Sequence, residues 1–213
     1  MKYLKSYNES LRDKMIPKSK EEIEKAMKKL PRNDRFNKYL EWEEWDKIKK
    51  MVNGFRGLSQ NQLDKILQKA ASVGEFDMVK LSIKKGADVN YFNGTAIRGA
   101  SLGGYFVIVK YLLSKGSKDG ESALEKAGEY GHLEIVKYLI EKGYRDFGLV
   151  MRKASGNGHI DVVKYLLSKG SNDNYSINYA EKYGHTEIVD LLKAHGFKKI
   201  INESLRKILK NKE

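Results

Sequence analysis

GHLEIVKYLIEKG, residues 131–143, is the stretch that decides the fold, because close copies of it recur along the chain. Four stretches align with it without gaps: GEFDMVKLSIKKG (74–86), GYFVIVKYLLSKG (104–116), GHIDVVKYLLSKG (158–170) and GHTEIVDLLKAHG (184–196). In residues 131–143 the apolar side chains share one helical face. The closing glycine suits the left-handed residue that ends a helix. Each copy is therefore predicted to form one amphipathic helix.

A second, shorter helical pattern precedes every copy, and it carries an alanine four residues before the opening glycine. These alanines are Ala70, Ala100, Ala127, Ala154 and Ala180, and the apolar residues three positions earlier are Leu67, Ile97, Leu124, Met151 and Ile177. A side chain this small in every copy indicates that neighbouring helices approach closely there. One helix pair cannot bury its own apolar face, so the pairs are expected to stack into an all-α solenoid.

This repeat resembles the ankyrin repeat. The family's outer-helix pattern, Gly-His-x-x-x-Val-x-x-Leu-Leu followed by glycine, is recognisable in residues 131–143 and 158–170, and the resemblance covers residues 60–196. It implies an ankyrin-like fold and a non-enzymatic protein–protein interaction module. Two features depart from the family. No repeat carries its Thr-Pro-Leu-His start, and the period is shorter than the usual 33 residues. The missing residues lie where the family projects a β-hairpin finger, so we predict truncated or absent fingers.

The chain is predicted to contain four parts. Residues 1–19 are a leader with a short amphipathic helix, and residues 20–57 are a helical N-terminal region that includes a degenerate capping repeat. Residues 58–196 hold five ankyrin-like repeats, and residues 197–213 form a basic C-terminal capping helix. Terminal repeats of a solenoid are atypical because one of their faces must tolerate water.

The charge is uneven along these parts. The 213 residues carry a net charge of +13 and no cysteine, which excludes disulfides and thiolate chemistry. Ten of the thirteen excess charges lie in residues 1–57 and 197–213. Basic flanks can attract polyanions. Binding of nucleic acid or another polyanion through these flanks is therefore the alternative function.

The amino-acid sequence of the repeats also resembles that of ankyrin proteins of large DNA viruses and tailed phages. That likeness implies a viral or phage protein that acts on a host factor, or, as a further alternative, a structural or packaged virion component. No apolar run is long enough for a membrane span or a secretory signal. We expect a cytoplasmic monomer, in the host cytoplasm if the protein is viral.

No motif of catalysis stands out. A P-loop, a G-x-S-x-G elbow and a dinucleotide-binding motif are all missing, so we expect no catalytic residue, cofactor or metal site. His132, His159 and His185 occupy the same repeat position, directly after the opening glycine. They are predicted to bond the backbone of the neighbouring turn.

The outer-helix pattern carries a lysine column, Lys80, Lys110, Lys137 and Lys164, next to Tyr111, Tyr138 and Tyr165. We expect most of these lysines to pair with the acid three residues earlier. The tyrosines are expected to pack between helices, and stacking on nucleic-acid bases is the alternative.

Positions that differ between repeats are free to recognise a partner. Aromatic and arginine residues at such positions are typical of protein interfaces. We predict a concave patch that binds a protein partner, formed by Phe92, Arg98, Phe147, Arg152 and Tyr175.

Overall fold

The computed structural model describes residue 25 and residues 27–54 and 57–199. The predicted leader (1–19) and residues 200–213 of the predicted C-terminal helix lie outside them. The described residues hold twelve longer α-helices and no strand: α1 (Arg32–Glu41), α2 (Trp45–Asn53), α3 (Gln60–Val73), α4 (Phe76–Lys84), α5 (Tyr91–Leu102), α6 (Phe106–Ser114), α7 (Gly120–Glu129), α8 (Leu133–Glu141), α9 (Phe147–Gly156), α10 (Ile160–Ser168), α11 (Tyr175–Lys182) and α12 (Thr186–Ala194).

The helices stack in pairs, which confirms the all-α, ankyrin-like solenoid. In each pair the first helix is called the inner helix (α3, α5, α7, α9, α11) and the second the outer helix (α4, α6, α8, α10, α12). Inner helices pack mainly on one another and on their own outer helices. All five alanines of the repeated column are fully buried, as are the five apolar residues three positions before them. Helix pairs therefore share one continuous core along the described chain.

Short turns join the pairs, as predicted. Residues 115–119 connect α6 to α7, and residues 142–146 connect α8 to α9; no residue of either junction forms a strand. The five closing glycines have left-handed backbones, with φ between 82° and 105°. β-Hairpin fingers are therefore absent from the described junctions.

The three repeated histidines bond backbone, which confirms the sequence prediction. The Nε2 atoms of His132, His159 and His185 lie 2.8 to 3.0 Å from carbonyl oxygens in the last turn of the preceding inner helix. Each ring also covers the opening glycine of the preceding repeat. A Cβ atom added to Gly131, for example, would lie 2.5 Å from the His159 ring. Glycine is required at this turn both by its left-handed φ and by this contact.

Helices α1 and α2 reproduce the repeat turn without its glycine. Glu43 adopts a φ of 56° at the position of the opening glycine, and Glu44 N–H donates to the Tyr39 carbonyl as Glu75 N–H donates to Ala70. The turn glycine is thus replaced by Glu43. Whether residues 20–57 are a degenerate capping repeat stays a prediction.

The predicted lysine pairs form at one position only. Lys80 pairs with Asp77 at 2.8 Å, whereas no ion pair within 4 Å joins Lys137 or Lys164 to another described residue. That expectation was wrong for these two lysines, and for Lys137 a tyrosine ring of the next outer helix offers the ammonium group another site. Lys137 lies 5.6 Å from the Tyr165 ring centroid.

The tyrosines of the outer helices pack between helices. Tyr111 meets Phe76 and Tyr138 meets Phe106 edge to face, with ring centroids 5.3 and 5.4 Å apart. This geometry supports packing over base stacking for these rings.

The contact between His159 and Gly131 gives a stability prediction. Gly131→Ala should destabilise the protein more than Gly143→Ala. Gly143 also has a left-handed backbone, with a φ of 105°, but a Cβ atom added there would meet open space. We expect about 1–2 kcal/mol for the backbone strain common to both, and about 1–3 kcal/mol more at Gly131 for displacing the histidine. Urea denaturation of both variants measures this, and equal losses of unfolding free energy would contradict it.

Candidate functional site

The exposed side of the inner helices forms one surface, here called the inner-helix face. Three positions in each repeat contribute to it: the two residues directly before the buried alanine, and the second residue after that alanine. Around Ala127 these are Glu125, Lys126 and Glu129. The helical period turns these positions away from the core, and most of them are at least partly exposed. Some also contact the next repeat, as Lys153 does with Glu125 and Glu129.

Arg152 on α9 is held by a bidentate ion pair. Its Nη2 donates to Asp173 Oδ1 at 2.8 Å and its Nε to Asp173 Oδ2 at 3.3 Å. Ser176 donates to the same carboxylate at 2.9 Å. The hydrogen bond with Asp173 and its charge outweigh partial burial and raise the pKa of Arg152 above its ordinary value. The guanidinium group is thereby fixed in one orientation.

A row of exposed tyrosines lies beside this guanidinium. Tyr175, Tyr179 and Tyr183 follow one another at single-turn spacing from α11 into the turn after it, with 51, 39 and 55% of their surface exposed. The Arg152 guanidinium lies 4.9 Å from the Tyr175 ring centroid and 6.0 Å from that of Tyr179. This cation–π contact holds the two rings against a charge that is already fixed. We call Tyr175, Tyr179 and Tyr183 the tyrosine row.

The five residues predicted as a patch fall into two pairs and one separate residue. Arg152 and Tyr175 are in contact, as described. Arg98 donates to the Phe92 carbonyl at 3.3 Å and pairs with Asp119 at 3.3 Å, the repeat equivalent of the pair between Arg152 and Asp173. Phe92 is 75% exposed, and it lies in a left-handed turn, residues 92–94, that interrupts α5 near its start.

Phe147 joins neither pair. Its ring is half-buried against the core and lies 5.7 Å from the Arg145 guanidinium. The single concave patch of five residues therefore remains a prediction, and the structure describes where each member lies. Sequence reasoning missed Tyr179 and Tyr183, although the four-residue spacing of Tyr175, Tyr179 and Tyr183 was a signal that could have found them.

A groove opens at the other end of the inner-helix face. It has a volume of about 550 Å³ and lies among α1, α3 and α5, with Leu40 and Leu102 among its apolar lining and Lys65 on its edge. Its cause lies in α1, where Tyr39 stands at the position of the repeated alanine. This larger side chain keeps α1 from packing on α3 as the inner helices pack on each other.

An ion network lies between the groove and the tyrosine row. Lys126 donates to Glu129 at 2.7 Å, and Lys153 lies 3.6 Å from both Glu125 and Glu129. Partial burial favours the protonated form of Glu129, but the hydrogen bond and charge of Lys126, together with Lys153, outweigh it. The pKa of Glu129 is therefore held below its ordinary value of 4.5.

The described residues contain no group of three or more histidine or acidic side chains arranged to hold a metal ion. None of their helices is both long and apolar enough to cross a membrane.

Comparison with known proteins gives one family. Ankyrin repeats, as three copies, match residues 66–149, which run from α3 to the start of α9. No curated protein matches the chain. The likeness to viral and phage proteins is untested by this match and stays a prediction.

The lowered pKa of Glu129 predicts how its contribution depends on pH. A carboxylate with a lowered pKa in the folded state stabilises the fold above its unfolded pKa and loses that effect as pH falls through the folded value. Glu129→Gln should therefore reduce the unfolding free energy at pH 7, and the difference should vanish as pH falls below 4.5.

Urea denaturation at pH 7 and pH 3 measures this effect. Asp77→Asn is the matched control, because its ion pair with Lys80 is exposed and should matter little at either pH. A Glu129→Gln difference that is the same at both pH values would contradict the assignment.

Proposed function

Residues 66–149 are ankyrin repeats, and on that premise we propose that the chain is a non-enzymatic module that binds a protein partner through its inner-helix face. Ankyrin repeats typically serve in protein–protein interaction, and no enzyme family matches the chain. Stacking occupies the side chains that every repeat shares. Recognition must therefore come from positions that differ between repeats, which lie on the inner-helix face and in its turns.

One observation carries this proposal. The tyrosine row exposes three aromatic rings beside an arginine whose orientation is fixed by Asp173. Tyrosine and arginine are enriched among the residues that dominate binding energy. Because the ion pair and the cation–π contacts already hold these side chains, binding loses little side-chain entropy.

The position two residues before the buried alanine varies most clearly along this face. It holds Gln68, Arg98, Glu125, Arg152 and Asn178 in successive repeats. A partner that spans the face would meet polar groups that change from each repeat to the next. The interface we propose therefore centres on Arg152 and Tyr175 and extends toward Arg98, Phe92 and Phe147.

The alternatives named from sequence rest on other parts of the chain. Polyanion binding through the flanks rests on residues 1–57 and 197–213, which the structure describes only in part. A role as a packaged virion component rests on the leader, residues 1–19, outside the described residues. Both stay predictions.

Truncation of the tyrosine row should weaken partner binding. A random-peptide display library is panned on the full chain, and the enriched peptides are then titrated by calorimetry. The double variant Tyr175→Ala and Tyr179→Ala should lower their affinity at least tenfold, because truncating residues of this kind typically costs about 2 kcal/mol or more.

Val107→Ala is the matched control. It removes a 59% exposed apolar side chain from outer helix α6 and should leave peptide affinity unchanged. Circular dichroism melts show that the variants remain folded. Peptides that bind the tyrosine variant as tightly as the natural chain would overturn the proposal.

A further inference from the structure

The outer helices carry the whole positive excess of the repeats. The segments 75–85, 105–115, 132–142 and 159–169 contain the first four outer helices (α4, α6, α8 and α10), each with its first and last flanking residue, and hold nine lysines and five acidic residues. The rest of residues 58–196 holds ten basic and eleven acidic residues. Charge within the repeats is therefore sorted by face, in addition to the excess in the flanks.

Eight of these nine lysines form two rows across the first four repeats. One row lies in the middle of the outer helices (Lys80, Lys110, Lys137, Lys164), and the other directly precedes the closing glycines (Lys85, Lys115, Lys142, Lys169). All eight side chains belong to exposed residues. Because neighbouring outer helices pack side by side, the same positions recur at intervals of about 10 Å. We call these two rows the lysine face.

Most of this positive charge is uncompensated by nearby partners. Within the described residues, Lys80 is the one member of the lysine face that has an acidic oxygen within 4 Å. Glu134, Glu141 and Asp161 lie on the same helices and reduce the net charge, but they form no ion pair within that distance with a described residue. The remaining ammonium groups are available to an external anion.

Three of the ammonium groups make cation–π contacts with tyrosine rings of their own outer helices. Lys115, Lys142 and Lys169 lie 5.3, 5.5 and 5.3 Å from the ring centroids of Tyr111, Tyr138 and Tyr165, respectively. A cation–π contact leaves the lysine charged, and these lysines belong to exposed residues. The same contact covers these rings, so this face offers charge rather than base stacking.

A cleft on this face has two lysines and two serines in its wall. It lies between α6 and α8, has a volume of about 310 Å³, and has Lys110, Lys142, Ser114 and Ser117 in its wall. The buried Ser117 hydroxyl has no hydrogen-bond partner in the described structure. Its repeat equivalent, Ser171, donates to the Phe147 carbonyl at 3.4 Å.

We propose that the lysine face binds the phosphate backbone of a nucleic acid duplex, without reading its base sequence. Lysine is a compact point charge that suits phosphate contacts, whereas it is depleted in protein–protein interfaces. The four outer-helix segments contain no arginine, whose rigid planar fork suits bidentate recognition of bases better than the flexible ammonium group of lysine. A duplex presents closely spaced phosphates along each strand, so rows of lysines several helices long meet many of them.

The test measures binding of a labelled 24-base-pair DNA duplex of arbitrary sequence to the full chain, by fluorescence anisotropy between 50 and 200 mM salt. The triple variant Lys110→Gln, Lys137→Gln and Lys164→Gln should weaken binding at least tenfold at 100 mM salt. It should also reduce the slope of log K against log salt by roughly 0.9 for each lysine that contacts a phosphate.

The matched control is Lys65→Gln, Lys126→Gln and Lys153→Gln, which removes the same charge from the inner-helix face. A smaller effect of this control supports the lysine face. Equal effects of both triple variants would show that only net charge matters and would overturn the proposal. Circular dichroism melts verify the fold of every variant.

Two further measurements distinguish other binding modes. If Lys207→Gln, Lys210→Gln and Lys212→Gln abolish binding while the lysine-face variant does not, the flanks bind the duplex and the proposal fails. If vesicles containing phosphatidylserine bind the chain and the duplex does not, the surface is a membrane contact and the proposal also fails. Titration with the panned peptides tests the inner-helix face, and titration with the duplex tests the lysine face. Failure of either proposal therefore leaves the other testable.

Discussion

The fold depends on the close contact between one repeat and the next. At the inner helices the contact admits nothing larger than alanine, and at the opening turns a histidine ring rests where a Cβ atom would otherwise lie. The same ring bonds a carbonyl in the last turn of the preceding inner helix. This carbonyl has no hydrogen-bond partner within its own helix. The histidine therefore both supplies that partner and fixes how one repeat aligns with the next.

Once stacking has occupied the shared side chains, two surfaces remain with different compositions. The inner-helix face carries paired charges and exposed tyrosines, and its ion pairs hold Arg152 and Arg98 in place. The outer-helix face carries lysines at the same two positions of α4, α6, α8 and α10, most of them without an acidic partner among the described residues. A constant charge pattern suits a repeating ligand, whereas a varying pattern suits one particular partner.

Sequence alone predicted the repeat, the buried alanines, the left-handed closing glycines and the histidine bonds, because each depends on a residue type that recurs at a fixed position. It failed where two local interactions compete. Spacing permits Lys137 to pair with Glu134, but its ammonium group lies over the Tyr165 ring of the next helix, a contact that a one-dimensional pattern does not contain. The tyrosine row was missed because its exposure depends on how α9 and α11 pack.

The most direct test of two independent faces is a titration in the presence of both ligands. A peptide obtained by panning is titrated into the full chain, first alone and then with the chain saturated by the DNA duplex. Independent faces predict a ternary complex in which the peptide Kd changes by less than about twofold, since sites without shared contacts are additive. Displacement of the duplex, or a peptide Kd that rises tenfold or more, would contradict the separation of the two surfaces.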